Sequence, residues 1–516
     1  MSRHVDGHTG ERPRAYGGGG GKVDQSRRAA RRTARLSTAA ATAALTAAAA
    51  LGVMSPAQAA TASRPASHSR SGASASRVSP APPAVQVRRG GPARSVAFST
   101  ARTGEAVLTL DSSAPGVSWQ TRGSESAVVS VSTDGRYTTD VVIPSGEPLT
   151  RSFTLGHLRA GHHTLRLAFA ADRSPAGATR ALLGSLAVSV TPEDTDAGTV
   201  LRNAPVLYGR NIPALGTEFQ SATTDTPLVM WHEFLPSAVP GHRVLQYSVI
   251  WSNEDGGTDS PALMARWGRT TDIEWVYRTE IDAHGRRVPG TGVYQAPDHQ
   301  TLRFAGEFDG GRPLLETCTS NNNMCDSVDD PMRFSLSPAQ DLPAGQPREH
   351  LMDTNAWTYP VMAQEMVREG RTESPTDPST PEVGDQRDYL YIAVAHTAAP
   401  AGATGDVGLT VGVRLRGGDT VYRSDHAVPT SSVNRDGTAA TTVELPPGTT
   451  AADIAEITAI RTPVGASEAT LDVTAVTRAF FLGRDYLPTA SFADWSGKVT
   501  LSPAEPSAVL WRPAGG

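Results

Sequence analysis

From about residue 95 onward, short runs in which apolar and polar residues alternate at every second position dominate the chain. Val107-Leu108-Thr109-Leu110, Val128 to Thr133, Tyr137 to Ile143 and the series Leu165, Leu167, Phe169 all follow this rule. A period of two predicts strands that turn one face to a core. Asp134-Gly135, between the second and third runs, is a dipeptide suited to a tight hairpin. With Gly- and Pro-rich turns and no helical period, residues 91–196 are expected to form an N-terminal antiparallel β-sandwich.

Residues 200–370 differ in kind, being richer in aromatics and paired charges and holding five of the eight tryptophans. They are expected to form a central β-rich domain, with strands at Leu228 to Trp231, Val244 to Trp251, Asp272 to Ile281 and Thr301 to Phe304. One short helix is expected over Pro360 to Glu369, where Pro360 suits a first turn, Met362 and Met366 lie four apart, and Gly370 supplies a stop. Pro375, Pro378 and Pro381 mark residues 371–386 as a semi-extended linker. A C-terminal β-sandwich then spans 387–513, with strands at Tyr389 to Val394, Leu409 to Leu415, Val421 to Arg423 and Leu471 to Val476. Ala452 to Ala459 reads either as a short helix or as sandwich packing. The fold class is therefore mainly β, with tandem antiparallel β-sandwich domains around a β-rich centre.

The first sixty residues bear on location. Arg27, Arg28, Arg31, Arg32 and Arg35 precede an apolar stretch from Leu36 to Met54, and Ala57-Gln58-Ala59 before Ala60 has the small-x-small form of a cleavage site. Residues 1–59 thus read as a signal peptide and the mature protein as secreted. Gly17 to Gly21 followed by Lys22 resembles translated ribosome-binding DNA, which makes Val23 a candidate start. Residues 60–90, mostly Ser, Ala, Pro and Arg, form a disordered linker on composition. Two lysines among 47 basic residues, with abundant Ala, Gly and Pro, suggest a high-GC, actinobacterial source.

The formal net charge is −5, and loss of the arginine-rich leader makes it more negative, which argues against a nucleic-acid partner. No second apolar stretch is long enough to span a bilayer. Cys318 and Cys325 are the only cysteines, and an exported pair flanking a polar loop is expected to be a disulfide.

Candidate chemistry concentrates in Trp251 to Thr258 and Arg266 to Trp275. On an extended Asp272 to Tyr277, Asp272, Glu274 and Val276 share one face while Ile273, Trp275 and Tyr277 share the other. Two carboxylates on one strand suit an acid and a base if burial separates them, or a calcium ion with Asp255 as a further metal ligand. The alternative is a solvated strand face neutralised by arginines. Candidate catalytic residues are Asp272, Glu274 and His299; candidate ligand contacts are Trp251, Asn253, Glu254, Trp267, Arg269, Trp275 and Asp298. No Gly-x-Ser-x-Gly elbow, His-Glu-x-x-His helix or phosphate-binding glycine loop occurs. No cofactor is required; calcium is the one ion the pattern suggests.

Asn203 to Tyr208, Leu245-Gln246-Tyr247, Asn253 and Asp272-Ile273-Glu274-Trp275 give residues 203–282 a resemblance to the vacuolar protein sorting sixty-two family. That family carries His-x-Gly-Asp-Trp-Glu, whereas here Thr270 or Thr271 stands for the histidine and the tryptophan follows the glutamate. The resemblance implies a β-rich domain and no settled activity. Acidic charge, tandem β-domains and missing catalytic motifs lead to the expectation of a secreted protein that binds an extracellular or cell-surface ligand, such as a polysaccharide. The alternative is a secreted hydrolase using the central carboxylates and histidine.

Overall fold

The Asp134-Gly135 turn folds as its chemistry demands: both residues take left-handed φ, 50° and 81°, which matches the right-handed twist of the strands they join. Ala127–Thr133 and Arg136–Ile143 pair antiparallel across it. The structure is a computed structural model that describes residues 85–514, apart from 217–218, 255–257 and 466. The expected signal peptide, the Val23 start, the linker up to residue 84 and Asp255 lie outside these residues.

The chain is mainly β, in several antiparallel sheets. The first sandwich stacks the sheet Val85–Arg88, Arg180–Thr191, Gly104–Ser113, Leu149–Leu158 on the sheet Arg94–Thr100, Gly161–Phe169, Ala127–Thr133, Arg136–Ile143. Val85–Arg88 lies within the expected linker but pairs with Arg180–Thr191, and Val87 is buried, so order begins at least six residues before position 91. Alternation over Val85 and Val87 was the overlooked signal.

The central region is a six-stranded sheet ordered Gln300–Arg303, Val293–Ala296, Ile273–Ile281, Arg243–Trp251, Pro227–Pro236, Gln340–Asp341. A smaller mixed sheet pairs Val206–Tyr208 in parallel with Arg312–Thr317 and antiparallel with Arg333–Phe334. The expected helix is present as Thr358–Glu369, ended by Gly370 at φ 71°. Three more helices, Asp196–Asn203, Ser260–Trp267 and His350–Thr354, were not expected; each has eight residues or fewer, too short to show a period. Among the described residues no helix is long and apolar enough to cross a membrane.

The second sandwich sets Gly437–Glu444, Tyr389–Ala399, Thr470–Phe480, Trp495–Leu501 against Val421–Arg423, Val407–Leu415, Ile454–Pro463, Ser507–Trp511. Residues 454–463 are a strand, which decides against a helix over 452–459. The 371–386 segment is no free tether. Its backbone folds back so that Thr372 bridges Val383, Val383 is fully buried, and Thr376 N–H donates to Glu444 Oε1 at 3.1 Å. Its prolines forbid regular pairing, and side-chain acceptors take up the backbone instead.

Two cores share one wall. The first joins the N-terminal sandwich, the central sheet and the helix through residues such as Leu108, Trp119, Trp231, Trp251 and Met362; the second fills the C-terminal sandwich. In Tyr389–Ala399 the alternation divides between them, with Tyr389 and Tyr391 in the first core and Leu390, Ile392 and Val394 in the second. A strand buried on both faces reads as a continuous apolar run, as this one does. Across the same wall, Tyr391 stacks on Phe480 at 5.4 Å and Tyr359 meets both edge-on.

Candidate functional site

The strand Ile273–Ile281 begins one residue after Asp272, so this carboxylate sits at the strand's entry and Glu274 on its first turn of pleat. The pairing slips between Trp275 and Tyr277 opposite Ser248 and Tyr247, leaving Val276 as the extra residue of a bulge. Strict alternation therefore stops at Trp275. Val276 and Tyr277 are both buried, while Trp275 lies under the Arg278 guanidinium at 3.9 Å. The expected shared face of Asp272 and Glu274 holds, but Val276 is not its third member.

Asp272 and Glu274 open on a cleft of about 220 Å³ whose walls also carry Glu254, Thr258, Arg266, Trp267, Arg269, His299, Asn321 and Arg348. Four chain segments build it. Helix Ser260–Trp267 supplies Arg266 and Trp267 and ends at Gly268, at φ 67°. A Cβ on Gly268 would lie 3.2 Å from the Thr441 backbone, so glycine serves both the turn and the close approach of the C-terminal sandwich. Arg435 Nη1 donates at 2.5 Å to the Arg266 carbonyl, a group left open at the helix end, and Thr442 Oγ1 adds a donor at 2.9 Å to the Met264 carbonyl, which also accepts from Gly268 N–H.

Gln295 connects the opposite wall. Its Nε2 donates to Glu274 Oε2 at 2.8 Å and lies 2.7 Å from His299 Nδ1, which is itself 3.7 Å from Glu274 Oε1. Asn321 Nδ2 stands 2.9 Å from His299 Nε2. Asn321 belongs to the loop closed by the Cys318–Cys325 disulfide. The next residue, Asn322, points inward, donating to Asp272 Oδ2 at 3.0 Å, the Asn253 carbonyl at 3.1 Å and Asp225 Oδ1 at 3.2 Å. Asp225, Asp298, His299 and Asn322 all hold left-handed φ without being glycine. Such conformations are costly and gather at functional sites.

Burial shapes the charges. Burial, reinforced by Glu274, pushes the Glu254 carboxyl up to about 7 against the pull of Arg269. Burial, with Glu274 and Glu254 alongside, carries Asp272 well above the usual carboxylate range. Arg269 Nε donates to buried Glu349 at 3.0 Å. Although burial alone would raise Glu349, Arg269, Arg435 and Arg348 hold it below its ordinary value.

The structure thus brings together Glu254, Trp267, Arg269, Asp272, Glu274 and His299. It excludes others. Trp251 is at 0 % exposure and Asn253 is equally buried, so neither offers a face to a ligand; both lie where the central strand enters the core. Trp275, stacked under Arg278, does not line the cleft, and neither does Asp298, exposed beside His299. Among the described residues, no group of three or more His, Cys, Asp or Glu side chains is disposed to hold a metal ion. Sequence reasoning missed Arg266 and Arg348 as cleft residues, and Asn321 and Asn322. The two asparagines were visible within the disulfide loop, but nothing in the sequence showed where that loop folds.

No family model matches the chain, and no characterised protein matches it by sequence. Among solved structures it is similar to the CBM36-1 domain of a multidomain xylanase from the hindgut metagenome of Trinervitermes trinervoides, at 16 % identity over 20 % of this chain and 77 % of that one, with a TM-score of 0.16. The sugar-binding EclA C-terminal domain matches at 16 % identity over 23 % of this chain and 87 % of that one, with a TM-score of 0.17. A family 35 carbohydrate binding module from an environmental isolate matches at 11 % identity over 19 % and 70 % of the two chains, with a TM-score of 0.14. Likenesses of this size assign neither a family nor a ligand to the chain.

Proposed function

We propose that this chain is an exported protein that binds a carbohydrate in the Glu254–Glu274–His299 cleft. The observation that carries the reading is the lining itself: carboxylates, an amide, a hydroxyl, an imidazole and guanidinium groups converge around one partly exposed indole. Sugar hydroxyls both donate and accept, so they match a wall of mixed donors and acceptors, while an indole receives the apolar face of a ring. The basic and apolar leader, the cleavage-site pattern and a disulfide support an extracellular setting. Calorimetric titration of the purified full chain against a panel of plant and microbial oligosaccharides is expected to show saturable binding that Glu274→Gln weakens by about tenfold. Absence of binding across the panel would sink the proposal.

A second reading, hydrolysis of the bound glycoside, is favoured by Glu254. A carboxyl held at about 7 can deliver a proton near neutral pH, and Glu274 stands in the same cleft as its partner carboxylate. Incubation of the chain with each bound oligosaccharide decides between the two: reducing ends that accumulate with the wild type and not with Glu254→Gln mark an enzyme, and intact ligand marks a binding protein.

A further inference from the structure

We infer that the ligand of this cleft carries a carboxylate, as uronic acid sugars do, and that Arg266 and Arg348 receive it. The inference rests on the carbohydrate reading and names the class of sugar.

The two walls differ in charge. Glu274, Gln295 and His299 belong to one, while Arg266, Arg269 and Arg348 surround Trp267, their guanidinium carbons 5.8, 5.6 and 5.8 Å from its ring centroid, and Arg435 stacks on the ring at 3.9 Å. Arg269 is paired with Glu349. Arg266 Nε is buried and has no hydrogen-bond partner among the described residues, and its Nη2 reaches Asn434 Oδ1 only at 3.4 Å. Arg348 makes no ion pair among the described residues. Burial also raises the Asp272 carboxyl well above the usual carboxylate range and the Glu254 carboxyl to about 7, which weakens the acidic wall as a counter-charge. Neither Arg266 nor Arg348 therefore makes a close ion pair among the described residues, and the nearby Glu349 carboxylate is taken up by Arg269.

Buried guanidinium donors without acceptors are costly, and a planar carboxylate is the group that a guanidinium fork accepts most directly. A uronic acid ring meets both walls at once. Its carboxylate goes to Arg266 and Arg348, its hydroxyls to Glu274 and the Asn321 amide, and its ring to the part of Trp267 that lines the cleft beyond the stacked Arg435. A neutral sugar satisfies only the acidic wall.

The test compares oligogalacturonate, oligomannuronate and glucuronate-bearing xylan oligomers with their carboxyl-reduced counterparts, by calorimetric titration of the full chain. At least one acidic oligomer is expected to bind about tenfold or more tightly than its reduced form, with an affinity that falls as salt rises. Arg348→Gln should bring the two forms together while Arg286→Gln, at an exposed position remote from the cleft, leaves the difference intact. Arg266→Gln is the companion variant, each checked for folding by its melting curve. Equal or tighter binding of reduced forms overturns this inference and leaves the carbohydrate reading standing; binding of neither form, nor of any neutral oligosaccharide, overturns both.

Discussion

Asn322 Nδ2 donates to Asp272 Oδ2 at 3.0 Å and so ties the disulfide loop to the entry of the acidic strand. The same amide serves the Asn253 carbonyl and Asp225 Oδ1, and Asp225 is ion-paired with buried Arg210. One side chain therefore positions three segments that meet beneath the cleft. Asn322→Ala removes a buried donor shared by the Asp272 carboxyl, the Asn253 carbonyl and Asp225, and a loss of about 2–3 kcal/mol in unfolding free energy is expected. Asn321→Ala, which touches His299 at the half-exposed rim, should cost less than about 1 kcal/mol. Urea unfolding of the two variants checks the contrast; equal losses would mean that Asn322 has no special place.

The disulfide acts on the same loop. Cys318 and Cys325 are separated by seven positions, and closing so short a loop is worth about 2.5 kcal/mol in the chain-entropy account. Replacing both with serine is expected to lower stability by roughly that amount. It should also weaken ligand binding, because Asn321 and Asn322 lose their anchorage. Denaturation with and without reductant measures the first effect and titration the second.

Stability should also depend on pH through Glu254. Its folded carboxyl lies at about 7 against 4.5 for the free group, so the folded state holds a proton that the unfolded chain has released. Stability from this group is fully present below pH 4.5, declines as pH rises toward 7, and is lost above it. By linkage the decline amounts to ~3 kcal/mol for this shift. Carboxylates held low, such as Asp309 beside Arg333 and Arg136, act in the opposite sense. The comparison that isolates Glu254 is thus wild type against Glu254→Gln. The variant should gain stability relative to wild type as pH rises from 5 to 8, and parallel pH profiles would contradict the assignment.

Glu365 offers a sharper test of how the N-terminal sandwich is held. It is fully buried on the helix Thr358–Glu369 and accepts from Trp119 Nε1 at 2.7 Å, Thr224 Oγ1 at 2.6 Å and Arg368 Nη2 at 2.5 Å. Glu365→Ala strands the Trp119 indole N–H and leaves the buried Arg368 guanidinium with only its longer contact to Glu369 Oε1 at 3.3 Å. A loss of about 3–5 kcal/mol is expected, whereas Glu365→Gln, which keeps the acceptor oxygen, should lose distinctly less. Thermal melts of both variants provide the measurement.

The architecture was legible in Ala127–Thr133 and Arg136–Ile143 because alternation of residue type and an Asp-Gly turn are local properties. The helix Thr358–Glu369 was legible because twelve residues display a period and Gly370 ends it. The helix Ser260–Trp267 left only Pro261 and Gly268 as signs, too few to outweigh an irregular loop. At the site, Asp272, Glu274 and His299 could be named because acids and imidazole near strand ends are conspicuous. Arg266 and Arg348 could not, since arginines are common and their meeting depends on how residues 260–274 and 340–350 pack. Trp251 misled for the converse reason: an aromatic next to a polar loop looks like a ligand platform, yet the strand carries it into the core.

The strand Tyr389–Ala399 shows two faces to two interiors. Domains that trade between genes as cassettes have boundaries that can be cut without opening a core. Here any cut before this strand strips aromatic cover from Tyr359, and any cut after it leaves the second interior without a wall. Its descendants should inherit the sandwiches and the central sheet as one unit, and proteases should find few places between them where a nick releases an intact piece.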